Sequence, residues 1–471
     1  MKINLEYSGV PSATFVKRAR LCLVSKIGGF SLALLVVLAL VLPTTWIPLK
    51  ALLLLVALVS VVILGFAGYA KFSSRTLVAC GLFALVGIGY SALGLSNDAP
   101  GAIRVLSVYA VWPLLYGLLS PILSFPRLLD RLSKLLSAAT LLVCTHSILV
   151  VGAGAGWLSP DFIPPIELGS AFGQYEGFSE FNLWSISSML FLVPWVMHRM
   201  IVTILDVGIC RRFVSVALLA SVGLLVTLLS GRRALLLTVF AAPALAVLSE
   251  VLLGRPWRSI IVRFKIAKVV PVSLVLIGCF AVASLLFELS LAAMWQQVLS
   301  GFDFFGNSEL SANARGEQLV ALLDGWQHSG VLFGAGNGSA VELNRGGDDQ
   351  SWAYELTYVY LLYSTGLAGV SFYGLWFYWG VMRMNWLCRN QPVLRVSCAP
   401  LLTGVLCFMI GNASNPYLAK FDYLWIAFLP HLIAGALGSS GVTMRSSKAE
   451  FSRCQDSSDS HLGVLKTMPM P

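Results

Sequence analysis

Two arginine-bearing stretches interrupt an otherwise apolar chain of 471 residues. One is the four-residue turn Ser230-Gly231-Arg232-Arg233. The other is a long polar segment that contains SANARGEQLVALLDGW, residues 311–326 with Arg315, and that closes on Ser351-Trp352-Ala353-Tyr354-Glu355. A guanidinium stays charged and offers phosphate oxygens a planar fork of donors, so Arg232, Arg233 and Arg315 suit the capture of a phosphorylated ligand. A helix starting at Ala234 would add the positive end of its dipole beside the first pair. Glu355 is a carboxylate positioned where a span enters the membrane, and it can take a proton from a hydroxyl. Each residue also has a plainer reading. The arginine turn would bind anionic lipid headgroups, and Glu355 would pair with one of these arginines as a strut.

The elements that hold these residues follow from composition. Hydrophobic residues make up 57% of the chain and charged residues 11%, against about 25% charged in an ordinary soluble domain. With a mean hydropathy of +0.82, the chain reads as an all-α polytopic membrane protein. The net charge of +10 lies mostly in short loops between apolar runs, the pattern of membrane orientation rather than of nucleic-acid binding. Runs of about 20 apolar residues, the length of a membrane span, occur about 12 times. Most Lys and Arg fall in alternate loops, which puts both termini on the cytoplasmic side.

The resulting plan is a cytoplasmic tail over residues 1–26 and nine spans over 27–289. A large outer loop with a short helix covers 290–353, three spans cover 354–439, and a disordered inner tail covers 440–471. The Ser311 helix would carry Arg315 in its first turn. Within the loop, Phe333-Gly334-Ala335-Gly336-Asn337-Gly338 has the look of a dinucleotide loop, but no strand precedes it and Ser339 stands where the last glycine belongs. It reads instead as a turn whose glycines let backbones approach closely. The outer connection 154–180, with aromatics, Asp161, Glu167, Glu176 and Glu180, reads either as a sugar-binding loop or as a solvated link.

Three further residues bear on the outer face. Arg104, just inside the fourth span, reads as an arginine reaching the headgroups or as a secondary phosphate contact. Asn412 and Asn415 would line the outer cavity or cap a helix end. His328 and His431 have no catalytic neighbour in sequence and read as structural. No cysteine pair has metal-ligand spacing, and no acidic pair does either.

Taken together, the outer Ser-Gly-Arg-Arg turn, the late loop opening with Ala314-Arg315-Gly316-Glu317-Gln318, the Phe-Gly-Ala-Gly turn and the span with Gly366-Leu367-Ala368-Gly369 resemble the O-antigen ligase and Wzy-type polymerase superfamily. The resemblance covers roughly residues 210–420. It implies a GT-C-like membrane glycosyltransferase of the bacterial inner membrane with its site facing the periplasm. Such enzymes take a glycan from an undecaprenyl-pyrophosphate donor by inverting, metal-independent transfer, alongside a flippase and a chain-length regulator. On this resemblance Arg232 or Arg233 and Arg315 hold the pyrophosphate. The ligase members place a His nine residues and one position before a Gly-x-x-Gly element, and Glu355-Leu356 stands there in this chain. That departure favours a polymerase with Glu355 as base and Arg315 assisting. Ligation to a lipid A core is the alternative, and a secondary transporter the second alternative.

Overall fold

A computed structural model describes residues 12–123, 128–154, 156–159, 171–175, 178–206, 208–259, scattered positions between 270 and 299, 310–343 and 350–439. Ten of its helices are long and apolar enough to cross a membrane, and the chain is an all-α polytopic membrane protein. In lipid, a backbone that cannot reach water must bond within its own segment, which leaves the helix as the local solution for each apolar run.

The elements are α1 (Ser12–Val41), α2 (Ile47–Phe66), α3 (Ser74–Ser96) and α4 (Ala102–Leu123, with a π-turn over Ser107–Val111). There follow α5 (Leu128–Gly154), the antiparallel hairpin β1 (Ala171–Tyr175) and β2 (Phe178–Asn182), and α6 (Met189–Asp206) after a 3-10 turn. Then come α7 (Arg211–Leu229), α8 (Arg233–Leu252), α9 (Leu310–Ser329), α10 (Thr357–Asn390), α11 (Arg395–Gly411) and α12 (Phe421–Ser439). Short connections make successive helices run in opposite directions. One end of the bundle, the loop end, gathers the 42–46, 97–101, 230–232 and 412–420 connections with α9. The other, the basic end, carries Lys71, Arg75, Arg383, Arg389 and Arg395.

Helix α6 is the axis. Its span is 89% buried, as befits a helix apolar all round, and α7, α8 and α11 pack about it. Gly404 and Gly411 of α11 touch Phe191 and Leu190 so closely that a methyl group would collide with either, the small-residue packing that membrane helices use. A buried polar knot ties α6, α8 and α11. His198 of α6 meets Thr403 Oγ1 of α11 at 2.6 Å and Glu250 of α8 at 3.4 Å, and Arg255 reaches Glu250 at 3.1 Å.

The structure departs from the sequence-based plan in several places. The segment expected as a tail is helical from Ser12, continuous with the first span. The connection after α5 holds the β1–β2 hairpin, with Ala171 opposite Asn182. The span expected over 269–289 and the tail 440–471 fall largely or wholly outside the described residues. Helix α10 is long, but its tyrosines, tryptophans, serines and glycines dilute its apolar character, and it is not among the ten.

Helix α10 is also broken. Gly366 has φ 61° and ψ −170°, a conformation essentially confined to glycine. The break is closed by the glycine turn of the preceding loop. Ala335 N–H and Gly336 N–H donate to the carbonyls of Tyr363 and Ser364 at 2.9 and 2.8 Å, while Leu367 N–H and Ala368 N–H donate to Val331 and Leu332 at 3.1 and 3.0 Å. The same turn lies against α3 and α4, where Asn337 N–H reaches Tyr90 O at 2.8 Å and Gly101 N–H reaches Gly338 O at 3.0 Å. Gly334, Gly336 and Gly338 have φ of 71°, 92° and 81°, so the close approach expected of this turn is what the structure contains.

Substituting Gly366→Ala forces a side chain into that conformation, at about 1–3 kcal/mol of strain, and into contact with the Leu332 backbone. The variant is expected to lose several degrees of thermal stability in detergent. Gly374→Ala, an exposed position of the same helix with open space around it, is expected to match the parent in the same melt.

Candidate functional site

Arg315 projects from α9, which docks on the first half of α10 through Leu322, Tyr360 and Tyr363, with Leu319 and Trp326 alongside. Because α9 opens at Leu310, one residue before the expected cap, Arg315 sits in its second turn and not its first. Glu355 is likewise displaced from its expected place. Helix α10 begins at Thr357 with Leu356 as its cap, so Glu355 lies in the approach to the helix. There Arg315 Nε donates to Glu355 Oε2 at 2.8 Å, with the two side chains 18% and 31% exposed. The pairing weighed from sequence is thus present. Half-buried, the pair falls between the weak surface case and the costly buried one.

The arginine turn is built by Gly231 at φ 64°. Arg232 takes the extended cap position of α8, and Arg233 is the first helical residue. Arg232 lies close enough to Lys420 for the two charges to interact. The Lys420 ammonium is pushed below its ordinary 10.5, first by burial and then by Arg232, against an opposing pull from Asp422. Of the two arginines, Arg232 is therefore the one shown to share a neighbourhood with the 412–422 connection.

That connection links the arginine turn to the entrance of α10. Lys420 Nζ sits 5.8 Å from the centre of the Tyr417 ring, Tyr417 N–H bonds Asn415 O at 2.9 Å, and Thr357 Oγ1 donates to the same Asn415 carbonyl at 3.1 Å. Two residues before Thr357 stands Glu355 with Arg315. Asn415 takes part through its backbone, while its side-chain amide goes to Ser414. Asn412 is buried, and its Oδ1 accepts from Leu418 N–H at 2.8 Å, holding the connection in shape. Arg104 is exposed on the same end, its guanidinium 5.7 Å from the Trp352 ring centre, three residues from Glu355. The seven residues singled out from sequence, Arg104, Arg232, Arg233, Arg315, Glu355, Asn412 and Asn415, thus all lie at the loop end. Hydrogen bonds join Thr357 to Asn415 and Arg315 to Glu355, and Arg232 acts on Lys420 through its charge.

Two features were missed. Lys50 and Asp422 form a salt bridge at 2.7 Å between side chains only 4% and 7% exposed, and Asp422 Oδ2 also accepts from Thr44 N–H at 2.7 Å. This ties α2 and the α1–α2 connection to the start of α12, directly under Lys420. Both charges interrupt apolar runs, and an ionisable group there needs a partner, so the pair was available to sequence reasoning. Gln318, one turn beyond Arg315, is fully buried with no hydrogen-bond partner for its amide among the described residues. Among those residues no cluster of His, Cys, Asp and Glu could hold a metal ion. His328 is exposed and His431 is buried against Trp376 and Arg383.

No protein-family model matches the chain, and no curated protein is significantly similar to it.

Removing one partner of a buried ion pair leaves the other charge stranded, at about 3–5 kcal/mol. Lys50→Met is expected to destabilise strongly in thermal unfolding, whereas Lys50→Met with Asp422→Asn recovers most of the loss, because asparagine still accepts from Thr44. Equal melting of the single and double variants would show that the pair is not coupled.

Proposed function

We propose that this chain is an inner-membrane polysaccharide polymerase that joins undecaprenyl-pyrophosphate-linked repeat units on the periplasmic face. The observation that supports it most directly is the assembly of cations at the loop end from sites far apart in sequence. Arg232 lies beside a half-buried Lys420, on a rim that also carries Arg315 and Arg104. Like charges brought together in a poorly hydrated place repel, and an anion relieves that cost. The resemblance to the ligase and polymerase superfamily supplies the identity of that anion as a lipid diphosphate. The positive-inside pattern supplies the side.

In this reading Arg232, Arg233 and Arg315 hold the donor diphosphate and stabilise the negative charge that grows on it as the bond to sugar C1 breaks. The acceptor hydroxyl attacks C1 from the opposite face, its oxygen forms the new glycosidic bond, and its proton passes to Glu355. The electron pair of the broken C1–O bond leaves with the diphosphate, and the anomeric centre inverts. The Arg315–Glu355 contact fits such a cycle. A diphosphate competes for Arg315 and releases the carboxylate toward the hydroxyl, at the cost of opening a half-buried ion pair.

Transport is the second reading, because a discontinuous helix such as α10 also occurs in transporters. Against it, backbone groups around the break bond to the chain's own glycine turn, and the cations gather at one end of the bundle and not at its middle.

Deletion of the protein followed by gel analysis of surface polysaccharide separates the readings. Polymerase predicts loss of long chains with one repeat unit left on the core. Loss of all attached glycan means ligase, and an unchanged glycan pattern with altered solute flux means a transporter. Arg315→Ala is expected to lower chain extension by about 100-fold or more, and Glu355→Gln by a similar factor with donor binding kept. Normal polymer length in a correctly inserted Arg315→Ala variant would end the proposal.

A further inference from the structure

The basic end of the bundle holds a cavity of about 560 Å³ between the start of α3, the second half of α10 and the end of α12. Its lining includes Ser73, Ser74, Arg75 and Arg383 as polar groups and the indoles of Trp379 and Trp386 as apolar ones, and among the described residues no carboxylate lines it. Arg383 is fixed in place without being neutralised. Its guanidinium lies 5.8 Å from the Trp379 ring centre, and it donates to Thr76 Oγ1 and to His431 Nδ1, both at 3.3 Å. Since arginine only donates, His431 Nδ1 is the acceptor, and the proton sits on Nε2, which donates to Trp376 O at 3.0 Å. The imidazole is thereby a neutral partner. Arg75 stands exposed at the rim, and its charge acts on Arg383. Two guanidiniums therefore share one cavity with no opposite charge among the described residues of its lining.

We infer that this cavity seats the phosphate of an anionic membrane lipid, the headgroup between Arg75 and Arg383 and the hydrocarbon along Trp379 and Trp386. Guanidinium forks match phosphate oxygens in geometry and charge. Indole rings are the side chains that settle at the level of lipid headgroups. The volume is that of a site for a ligand of tens of atoms, well beyond one phosphate ion. Gly435 sets the floor, where α12 lies so close to α3 that any side chain would strike Thr76. At Gly438, also in the lining, a side chain would meet no protein atom within 4 Å. The site is independent of the chemistry proposed at the loop end.

The test is lipid binding to the full chain in detergent, followed by native mass spectrometry with phosphatidylglycerol, with phosphatidylcholine and with inorganic phosphate as competitor. Phosphatidylglycerol is expected to bind about tenfold more tightly than phosphatidylcholine, the equivalent of one good charged contact. Arg75→Gln, which removes an exposed side chain and leaves the melting point in place, is expected to erase that preference. Gly438→Leu fills the cavity with its charges intact and is expected to weaken binding of both lipids. Lys71→Gln, outside the lining, is the control. Equal losses in Lys71→Gln and Arg75→Gln would reveal a diffuse basic surface and overturn the inference. Wild-type binding in Gly438→Leu would overturn it too, as would displacement of the lipid by millimolar inorganic phosphate.

Discussion

The arrangement of the loop end depends on an exchange of backbone hydrogen bonds between a broken helix and a glycine-rich turn. A helix interrupted inside an apolar bundle exposes carbonyls and amides that neither lipid nor side chains can satisfy, at a cost of several kcal/mol per orphaned group. In α10 the break at Gly366 is tolerated because Val331–Gly336 supplies the missing partners in both directions. The turn can enter only because glycines occupy positions 334, 336 and 338, each with backbone closer to it than a side chain allows. Once the turn is seated, α9 has to dock on the first half of α10, and that docking puts Arg315 within reach of Glu355.

Much of this was legible in the sequence, for reasons that differ by element. Apolar runs announce helices because in lipid no other local structure satisfies the backbone. The glycine turn was readable as a place of close approach, since φ above zero at alternate positions excludes other residues. Its partner was not, because nothing local says that residues 331–336 will close a gap thirty positions later. Helix boundaries were harder for a related reason. The start of α9 lies one residue before its expected place and that of α10 three residues after, because caps are decided by tertiary contacts, such as the Thr357 to Asn415 bond. The Lys50–Asp422 pair went unassigned although both residues stand out as charges in apolar runs, since the two lie 372 positions apart and their partnership is set by helix packing.

The charges of the bundle fall into two kinds. In one kind, opposite charges are buried together, as in Lys50 with Asp422, whose other oxygen accepts from Thr44, or in Glu250 with Arg255 and His198 where α6 meets α8. Such pairs are costly to break and do little beyond setting the register of the helices they join. In the other kind, like charges are brought close: Arg232 beside Lys420, which Asp422 also reaches, at one end, and an exposed Arg75 beside Arg383 at the other. Like charges at such distances repel, and a bound group of opposite charge relieves that repulsion.

The Arg315–Glu355 pair belongs to neither kind, and its intermediate exposure is compatible with the cycle proposed above. A fully buried pair would be too costly to open for each turnover, and a fully solvated one would be screened and would not hold either side chain in place. At 18% and 31% exposure the pair is partly shielded from solvent, so it costs more to open than a surface pair and less than a buried one. On the function proposed above, a diphosphate would compete with Glu355 for Arg315, and the carboxylate would become available as a base only when the leaving group is bound.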